Sequence, residues 1–437
     1  MTAAIEQLYR LFRDASGVST DSRTIQPGAL FFALKGPHYN GNAYASEAIS
    51  KGALAAVIDE PQYQKDAERF FLVENTLEAL QRLAAFHRRK MQIPLIAVAG
   101  SNGKTTTKEL IASVLQTTFC TLATSGNLNN EIGVPLTLLK ITPSTQIAVI
   151  EMGARQRGDI RLLCEIAGPT HGLITNTGKD HLETFKTVEN TLKTNAELYE
   201  HLATVKGTGF INIADQDLMA ASRILENSVT YGGSPQATYA GEILSSYPYL
   251  VFRYYSEQKE TITVTTRITG KYNFENAMAA VAVGKHFSVS DAHIQEALQK
   301  YVPANNRSQL ITLNSNTIIL DAYNANPTSM QQALENFASI PSENKVAILG
   351  DMLELGEASY DEHLAMVKLI RSLGLQKVIL VGEEFGKVKD HIQALHFKTS
   401  SEAAEWMKKQ RFAHTTFLLK GSRRIGLEKI LEYQTGG

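Results

Sequence analysis

The feature that most restricts the fold is one passage from strand to helix. The run Leu95-Ile-Ala-Val-Ala-Gly100-Ser-Asn-Gly103-Lys104-Thr105-Thr106-Thr107 begins with five apolar residues, passes two glycines and enters a helix predicted over 107–116. A strand that is apolar at every position must be covered on both faces, which places it inside a parallel sheet layered between helices. The glycines let backbone N–H groups approach phosphate oxygens, the helix N-terminus adds positive potential, Lys104 supplies a mobile charge, and the Thr105 hydroxyl can ligate magnesium. Gly100, Ser101, Asn102, Gly103, Lys104, Thr105 and Thr106 are therefore expected to cradle the phosphates of a nucleoside triphosphate. Val98 stands where the strict pattern has its first glycine, so on these residues alone a purely structural turn remains open.

Similar apolar runs at 95–98, 147–150 and 172–175, each followed by a helical period, predict a doubly wound, mostly parallel central sheet. Between 239 and 269 the alternation switches to period two, as in Thr261-Ile-Thr-Val-Thr-Thr-Arg-Ile268, which predicts a small antiparallel meander. A third strand-helix series occupies 317–320, 345–349, 377–381 and 415–419. Residues before 90 mix strand-like runs at 29–34 and 55–58 with helical stretches at 44–51 and 76–90. Because 437 residues exceed one hydrophobic core, three α/β domains are expected. They are a small N-terminal domain (1–90), a central P-loop domain (91–303) and a C-terminal Rossmann-like domain (304–437).

Charge and cysteine content narrow the partners. Lys plus Arg (43) nearly balance Asp plus Glu (44), so the basic footprint of a nucleic-acid binder is missing and any anion must be held locally. Two cysteines, Cys120 and Cys164, do not make a disulfide framework or a multi-cysteine zinc site. The first residues alternate apolar with charged positions at helical spacing, unlike a secretory leader, and no run approaches the ~18 apolar residues of a membrane span. A cytoplasmic monomer without membrane insertion is expected.

Two further residues stand at strand ends. Glu151 closes the run 147–150, where P-loop proteins place the acid that holds magnesium. His181 follows the run 172–175 in Thr175-Asn-Thr-Gly-Lys-Asp-His181, a position that lines the ligand crevice of parallel sheets. Taken singly, an acid at a strand end is more often a solvated turn residue, and a loop histidine more often has no ligand.

Together these residues resemble a known family. Gly100-Ser-Asn-Gly-Lys-Thr-Thr106 is similar to the shortened phosphate loop of the Mur ligases, which accounts for Val98. Asn127-Leu-Asn-Asn-Glu-Ile-Gly-Val-Pro135, Glu151-Met-Gly153, His181-Leu-Glu183, Gly270-Lys-Tyr-Asn-Phe-Glu-Asn276, Asn306-Arg307 and Lys420-Gly-Ser-Arg423 recur in that family's order and approximate spacing. Asp321-Ala-Tyr-Asn-Ala-Asn-Pro327, with Leu349-Gly-Asp-Met-Leu-Glu-Leu-Gly356 and His363, looks like the branch that joins D-alanyl-D-alanine to UDP-N-acetylmuramoyl-tripeptide in peptidoglycan precursor synthesis. Branches that add diaminopimelate or lysine usually carry a histidine-containing motif at the first of these sites.

The resemblance implies roles residue by residue. Lys104 and the loop amides would bind ATP phosphates, Thr105 and Glu151 one Mg²⁺, and His181 a second; Lys104, Glu151 and His181 form the catalytic set. Asn273 and Asn276 would lie near the adenine, with Arg307 reaching the phosphates and Asp321 the ribose across an interdomain cleft. Asn127 would touch substrate, Asn324 and Asn326 the dipeptide or acceptor end, and Ser22 and Arg23 the uridine diphosphate end. On the residues alone, Asn273 and Asn276 could instead cap a helix, Asp321 and Asn324 shape a turn, and Arg307 be a surface charge. One departure stands out: the family usually has a carbamylated lysine where this chain has Asn195. Lys193 is turned about 200° from that position on a helix. The second magnesium is thus expected to bind weakly or to rely on substrate phosphates. Another ligase of the superfamily, including a folylpolyglutamate synthase-like one, and a non-catalytic nucleotide-binding protein remain alternatives at this point.

Overall fold

The computed structural model describes residues 2–256, 259–304 and 306–432. Its central element is the strand Leu95–Ala99, whose five residues are all fully buried. Leu95, Ala97 and Ala99 point into one core while Ile96 and Val98 point into another on the opposite face, as period-two geometry requires of a two-sided strand. This strand lies between Ile147–Glu151 and His171–Ile174, parallel to both. The sheet continues past His171–Ile174 through Thr208–Asn212 and Asn227–Gly232 to Tyr239–Ser245, and past Ile147–Glu151 to Thr121–Ala123, all in parallel pairs. Val251–Tyr255 and Thr261–Thr265 then add antiparallel strands. The expected meander is therefore present, but it extends the parallel sheet to nine strands rather than standing apart.

Val18–Ser19, Leu30–Phe32, Ala55–Ile58 and Phe70–Leu72 form an N-terminal sheet in that order, parallel throughout. Helix Thr76–Lys90 is amphipathic and inserts Leu80, Leu83 and Ala84 into an apolar cluster shared with Leu30, Phe32 and Val57 on one side and Leu95, Val134 and Leu138 on the other. That shared burial, at about 25 cal/mol per Å², ties the small sheet to the central one. The C-terminal sheet has the order Gln309–Leu313, Asn316–Asp321, Thr416–Lys420, Lys345–Gly350, Val378–Val381, Leu395–Phe397; only the first pair is antiparallel. Thr416–Lys420, last in sequence, is inserted between the second and third strands of its series, which sets Asp321 beside Lys420. Among the described residues no helix is long and apolar enough to cross a membrane.

Candidate active site

The chain leaves Leu95–Ala99 toward one side of the sheet, building Thr121–Ala123 and Ile147–Glu151, and then crosses to the other side for His171–Ile174. Such a reversal opens a crevice beyond the carboxyl ends of the strands. Pairing of Val98 with Glu151 and of Ala99 with Ile174 brings Gly100, Glu151 and Thr175 to that edge together. Helix Lys104–Gln116 begins there, three residues earlier than expected, because Gly103 at φ 78° turns the chain into it. A side chain at Gly103 would also press on the Asn276 amide, 2.7 Å from its Oδ1. Gly100, at φ 122°, leaves no room beside Thr175, whose Oγ1 would stand 2.3 Å from an added Cβ. Both glycines are thus required by conformation and by space.

The loop is braced from below. Asn176 exchanges hydrogen bonds with Asn102 through its side chain (3.1 and 3.0 Å), and the Thr175 hydroxyl donates to the Asn102 carbonyl at 2.7 Å. Asn195, 4 % exposed, accepts the Gly100 N–H at 3.0 Å and donates to the Thr191 carbonyl. Lys193 points elsewhere, paired with Glu189 on the exposed side of the helix. Asn276 accepts from the Thr107 hydroxyl and donates to Asn273, whose own amide donates to the Thr269 carbonyl. Lys104 folds back, its Nζ donating to the Gly100 and Ser101 carbonyls.

Glu151 is buried to 2 % exposure. Its Oε1 accepts the Asn129 amide at 2.8 Å, while Oε2 is buried with no hydrogen-bond partner. A buried carboxylate oxygen without a donor is costly unless a cation arrives, so the site fits a hard divalent ion such as Mg²⁺, and Thr105 belongs to the same lining. Among the described residues no three His, Cys, Asp or Glu side chains converge as a preformed cage; phosphate oxygens would complete the shell. His181, in a left-handed conformation (φ 45°), is 2.8 Å from Glu354 through Nδ1 and 3.9 Å from Asp180 through Nε2. Burial opposes its charged form, but the Glu354 hydrogen bond and the Asp180 carboxylate outweigh it and the pKa is raised.

Glu354 belongs to the C-terminal unit, which supplies the opposite wall. Lys420 donates to Asp321 at 2.7 Å, and Asp321 also accepts the Ser308 N–H. Ser308 meets the Tyr272 hydroxyl at 3.0 Å. Arg307 lies over the Tyr323 ring at 3.7 Å, with Arg423 at 5.3 Å from the same ring. Asn326 caps helix Pro327–Ser339 through its Oδ1 and uses its amide N–H groups on Asn102 (2.9 Å) and Asp180 (3.3 Å). Its side chain is therefore engaged in holding the two walls together, whereas the neighbouring Asn324 is exposed.

All of Ser101–Thr106, Asn127, Glu151, His181, Asn273, Asn276, Arg307, Asp321, Asn324 and Asn326 line one cleft of about 550 Å³. Gly100, the residue before Ser101, is not in this lining. Ser22 and Arg23 do not line it: Ser22 is buried in a short turn after Asp21, and Arg23 pairs with Asp21 on the surface of the N-terminal sheet. Sequence reasoning passed over Asn129, Tyr323, Glu354 and Arg423. All four stand inside the motifs that carry the family resemblance, but only their partners in the fold reveal what they touch.

Glu275 lines the same cleft, and its Oε2 is buried without a partner. Burial pushes its pKa from 4.5 up to about 7. With the folded value above the unfolded one, the native state holds the extra proton between the two, and stability falls as pH rises through that window. Above it the penalty is about 3 kcal/mol, one pKa unit being about 1.36 kcal/mol. Glu275→Gln should raise Tm at pH 8 and change it little at pH 4; equal thermal denaturation of variant and parent at pH 8 would remove this account.

Comparison with known proteins bears on the whole chain. Residues 14–88 match the Mur ligase family catalytic domain, 98–284 the Mur ligase middle domain, and 306–423 the Mur ligase glutamate ligase domain. The UDP-N-acetylmuramoyl-tripeptide--D-alanyl-D-alanine ligase of Bacillus subtilis is 32 % identical over 95 % of this chain and 92 % of its own. The crystal structure of MurF from Acinetobacter baumannii superposes with a TM-score of 0.89 at 28 % identity, covering 99 % of this chain and 98 % of that one. MurF ligase from Thermotoga maritima in complex with ADP superposes at 0.85 with 25 % identity, covering 97 % and 98 %.

Proposed function

The chain belongs to the Mur ligase family, and from that premise we propose that it joins D-alanyl-D-alanine to UDP-N-acetylmuramoyl-tripeptide with conversion of ATP to ADP and phosphate. The observation that carries this reading is that the phosphate loop and the 321–327 segment line one cleft from opposite walls. A nucleotide held by the first can meet an acceptor held by the second. Relatives bearing this name cover almost the full chain.

The chemistry follows from what an amide bond needs. A carboxylate has no adequate leaving group, so a carboxylate oxygen of the tripeptide attacks the γ-phosphorus and ADP departs. The neutral dipeptide amine then attacks the acyl carbon, phosphate leaves with the C–O bonding pair, and the nitrogen loses a proton. Lys104 and the loop N–H groups balance charge on the transferring phosphoryl group. Mg²⁺, held by Thr105 and Glu151, would supply further neutralisation there. Asn273, Asn276, Arg307 and Asp321 are assigned to the nucleotide, and Asn127 and Asn324 to the acceptor and peptide. Asn326 and the His181–Glu354 pair hold the walls in register, which excludes water from the acyl phosphate. Ser22 and Arg23 are assigned to the uridine diphosphate end, on the separate N-terminal surface. With ATP as phosphoryl donor, the reaction belongs in the cytoplasm.

The test is phosphate release and product mass with a panel of UDP-muramoyl peptides and D-alanyl-D-alanine. Product is expected only with a tripeptide, at the summed mass less one water. Because Asn195 braces Gly100 and Lys193 faces solvent, added bicarbonate should leave the rate unchanged. Bicarbonate-dependent turnover, or a carbamate on Lys193, would contradict that expectation; ligation of free glutamate or diaminopimelate instead would overturn the substrate assignment.

A further inference from the structure

The cations of the cleft are not equally committed. Lys104 donates to two loop carbonyls, and Lys420 is paired with Asp321. Arg307 and Arg423 are held in another way, both against the ring of Tyr323. An aromatic face attracts a guanidinium through its quadrupole without accepting its N–H donors. Such contact fixes the group and leaves its hydrogen bonds to be made; the Arg307 Nε is indeed buried with no partner. Two like charges gathered on one ring also repel, and an anion placed against them relieves that repulsion.

Arg423 is exposed, and its place on the rim is set by the backbone. It follows the strand Thr416–Lys420, and the preceding Ser422 accepts the Leu353 N–H at 2.9 Å and donates to the Ala325 carbonyl at 3.3 Å. The backbone at Arg423 is thereby tied to both neighbouring loops of the C-terminal rim, next to the exposed Asn324. This is the wall opposite the phosphate loop. The incoming dipeptide carries one permanent anion, its own carboxylate, and must present its amine away from that end.

We propose that Arg423 binds the carboxylate of D-alanyl-D-alanine and so orients its amine toward the acyl phosphate; this rests on the ligase reading above. A planar guanidinium suits the task because it can offer two parallel N–H donors to the two carboxylate oxygens. Arg307, in the segment joining the two large sheets, is left to the nucleotide. Arg155, which lines the cleft from the central unit, is the rival cation.

Steady-state kinetics of the full chain would compare D-alanyl-D-alanine with its C-terminal amide at saturating ATP and tripeptide substrate. The parent enzyme is expected to prefer the acid by roughly 10- to 100-fold in kcat/KM, the worth of a charge-assisted hydrogen bond. Arg423→Ala should use acid and amide about equally, Arg423→Lys should regain part of the preference, and KM for ATP should not move. ATP-induced thermal shifts check that each variant is folded. A parent enzyme indifferent to the amide overturns the assignment. So does an Arg423→Ala variant that keeps the preference or raises KM for ATP in step, or loss of the preference in Arg155→Ala instead. A parent enzyme that ligates neither acceptor overturns the ligase reading and this assignment with it.

Discussion

Lys104→Ala is expected to lower ADP formation by at least about 10³-fold while leaving the fold intact, since removing one preorganised charge or donor from a phosphoryl-transfer site typically costs that much. The stability side is small for a structural reason. Lys104 donates only to the carbonyls of Gly100 and Ser101 in its own loop, and water can replace those bonds at a cost of about 1 kcal/mol. The same bonds mean that the ammonium must swing from the loop carbonyls to the phosphates when nucleotide binds. Lys104→Arg is not expected to rescue, because a planar guanidinium cannot occupy the compact position of an ammonium between two carbonyls. Measuring ADP release with circular dichroism and Tm on the same samples separates the possibilities. Normal turnover in the alanine variant would refute the role, and a collapse of Tm would show that the lysine is a structural clamp.

Glu151→Gln should be nearly inactive and yet no less stable than its parent. The glutamine keeps the shape and still accepts the Asn129 amide at the position of Oε1. It removes the charge from the oxygen that is buried without a partner, which is unfavourable in the metal-free protein. Loss of one metal-holding carboxylate should lower kcat by about 10²- to 10³-fold. The expected signature is a Tm equal to or above the parent's without ligand, together with loss of the extra Tm increase that Mg²⁺ adds to ATP. A Tm several degrees lower, with Mg²⁺-dependent stabilisation retained, would mean that Glu151 serves the fold rather than the cation. The two substitutions therefore probe separate things: one the charge on the phosphates, the other the charge that holds the ion beside them.

Much of the architecture was legible because burial on both faces leaves a mark in the sequence. The strands Leu95–Ala99, Ile147–Glu151 and Lys345–Gly350 are apolar at nearly every position, and each was located to within a residue. Among the strands that leave no such mark, Val18–Ser19, Phe70–Leu72, Thr121–Ala123, Gln309–Leu313 and Leu395–Phe397 lie at sheet edges, whereas Thr208–Asn212 is internal. An edge strand is short and half solvated, and its register comes from its neighbour rather than from its own pattern. Asn227–Gly232 is obscured for a related reason: its first residues are exposed, and pairing to Thr208–Asn212 and Tyr239–Ser245 makes it a strand.

The site divides along the same line. Gly100, Gly103, Lys104 and Thr105 could be assigned from their order because strand, turn and helix follow one another over a few residues, and local geometry fixes what each can do. Asn195 and Asn326 could not. Asn195 reads in the sequence only as a neutral residue in place of a lysine, and Asn326 as a residue at the dipeptide or acceptor end; in the fold Asn195 supports Gly100 from beneath, and Asn326 joins the phosphate loop and Asp180 to the C-terminal unit.

The sequence by itself determined where the phosphate loop lies and which strands bury both faces, since these depend on residues adjacent in the chain and on their polarity. Only the tertiary structure decided that Glu354 meets His181, that one tyrosine gathers two arginines, and that Glu151 keeps one oxygen unpartnered. Those facts depend on contacts between residues from 16 to 173 positions apart in the chain, or on the absence of any contact. A side chain's charge is written in the sequence, whereas the company that satisfies or frees that charge is set by packing.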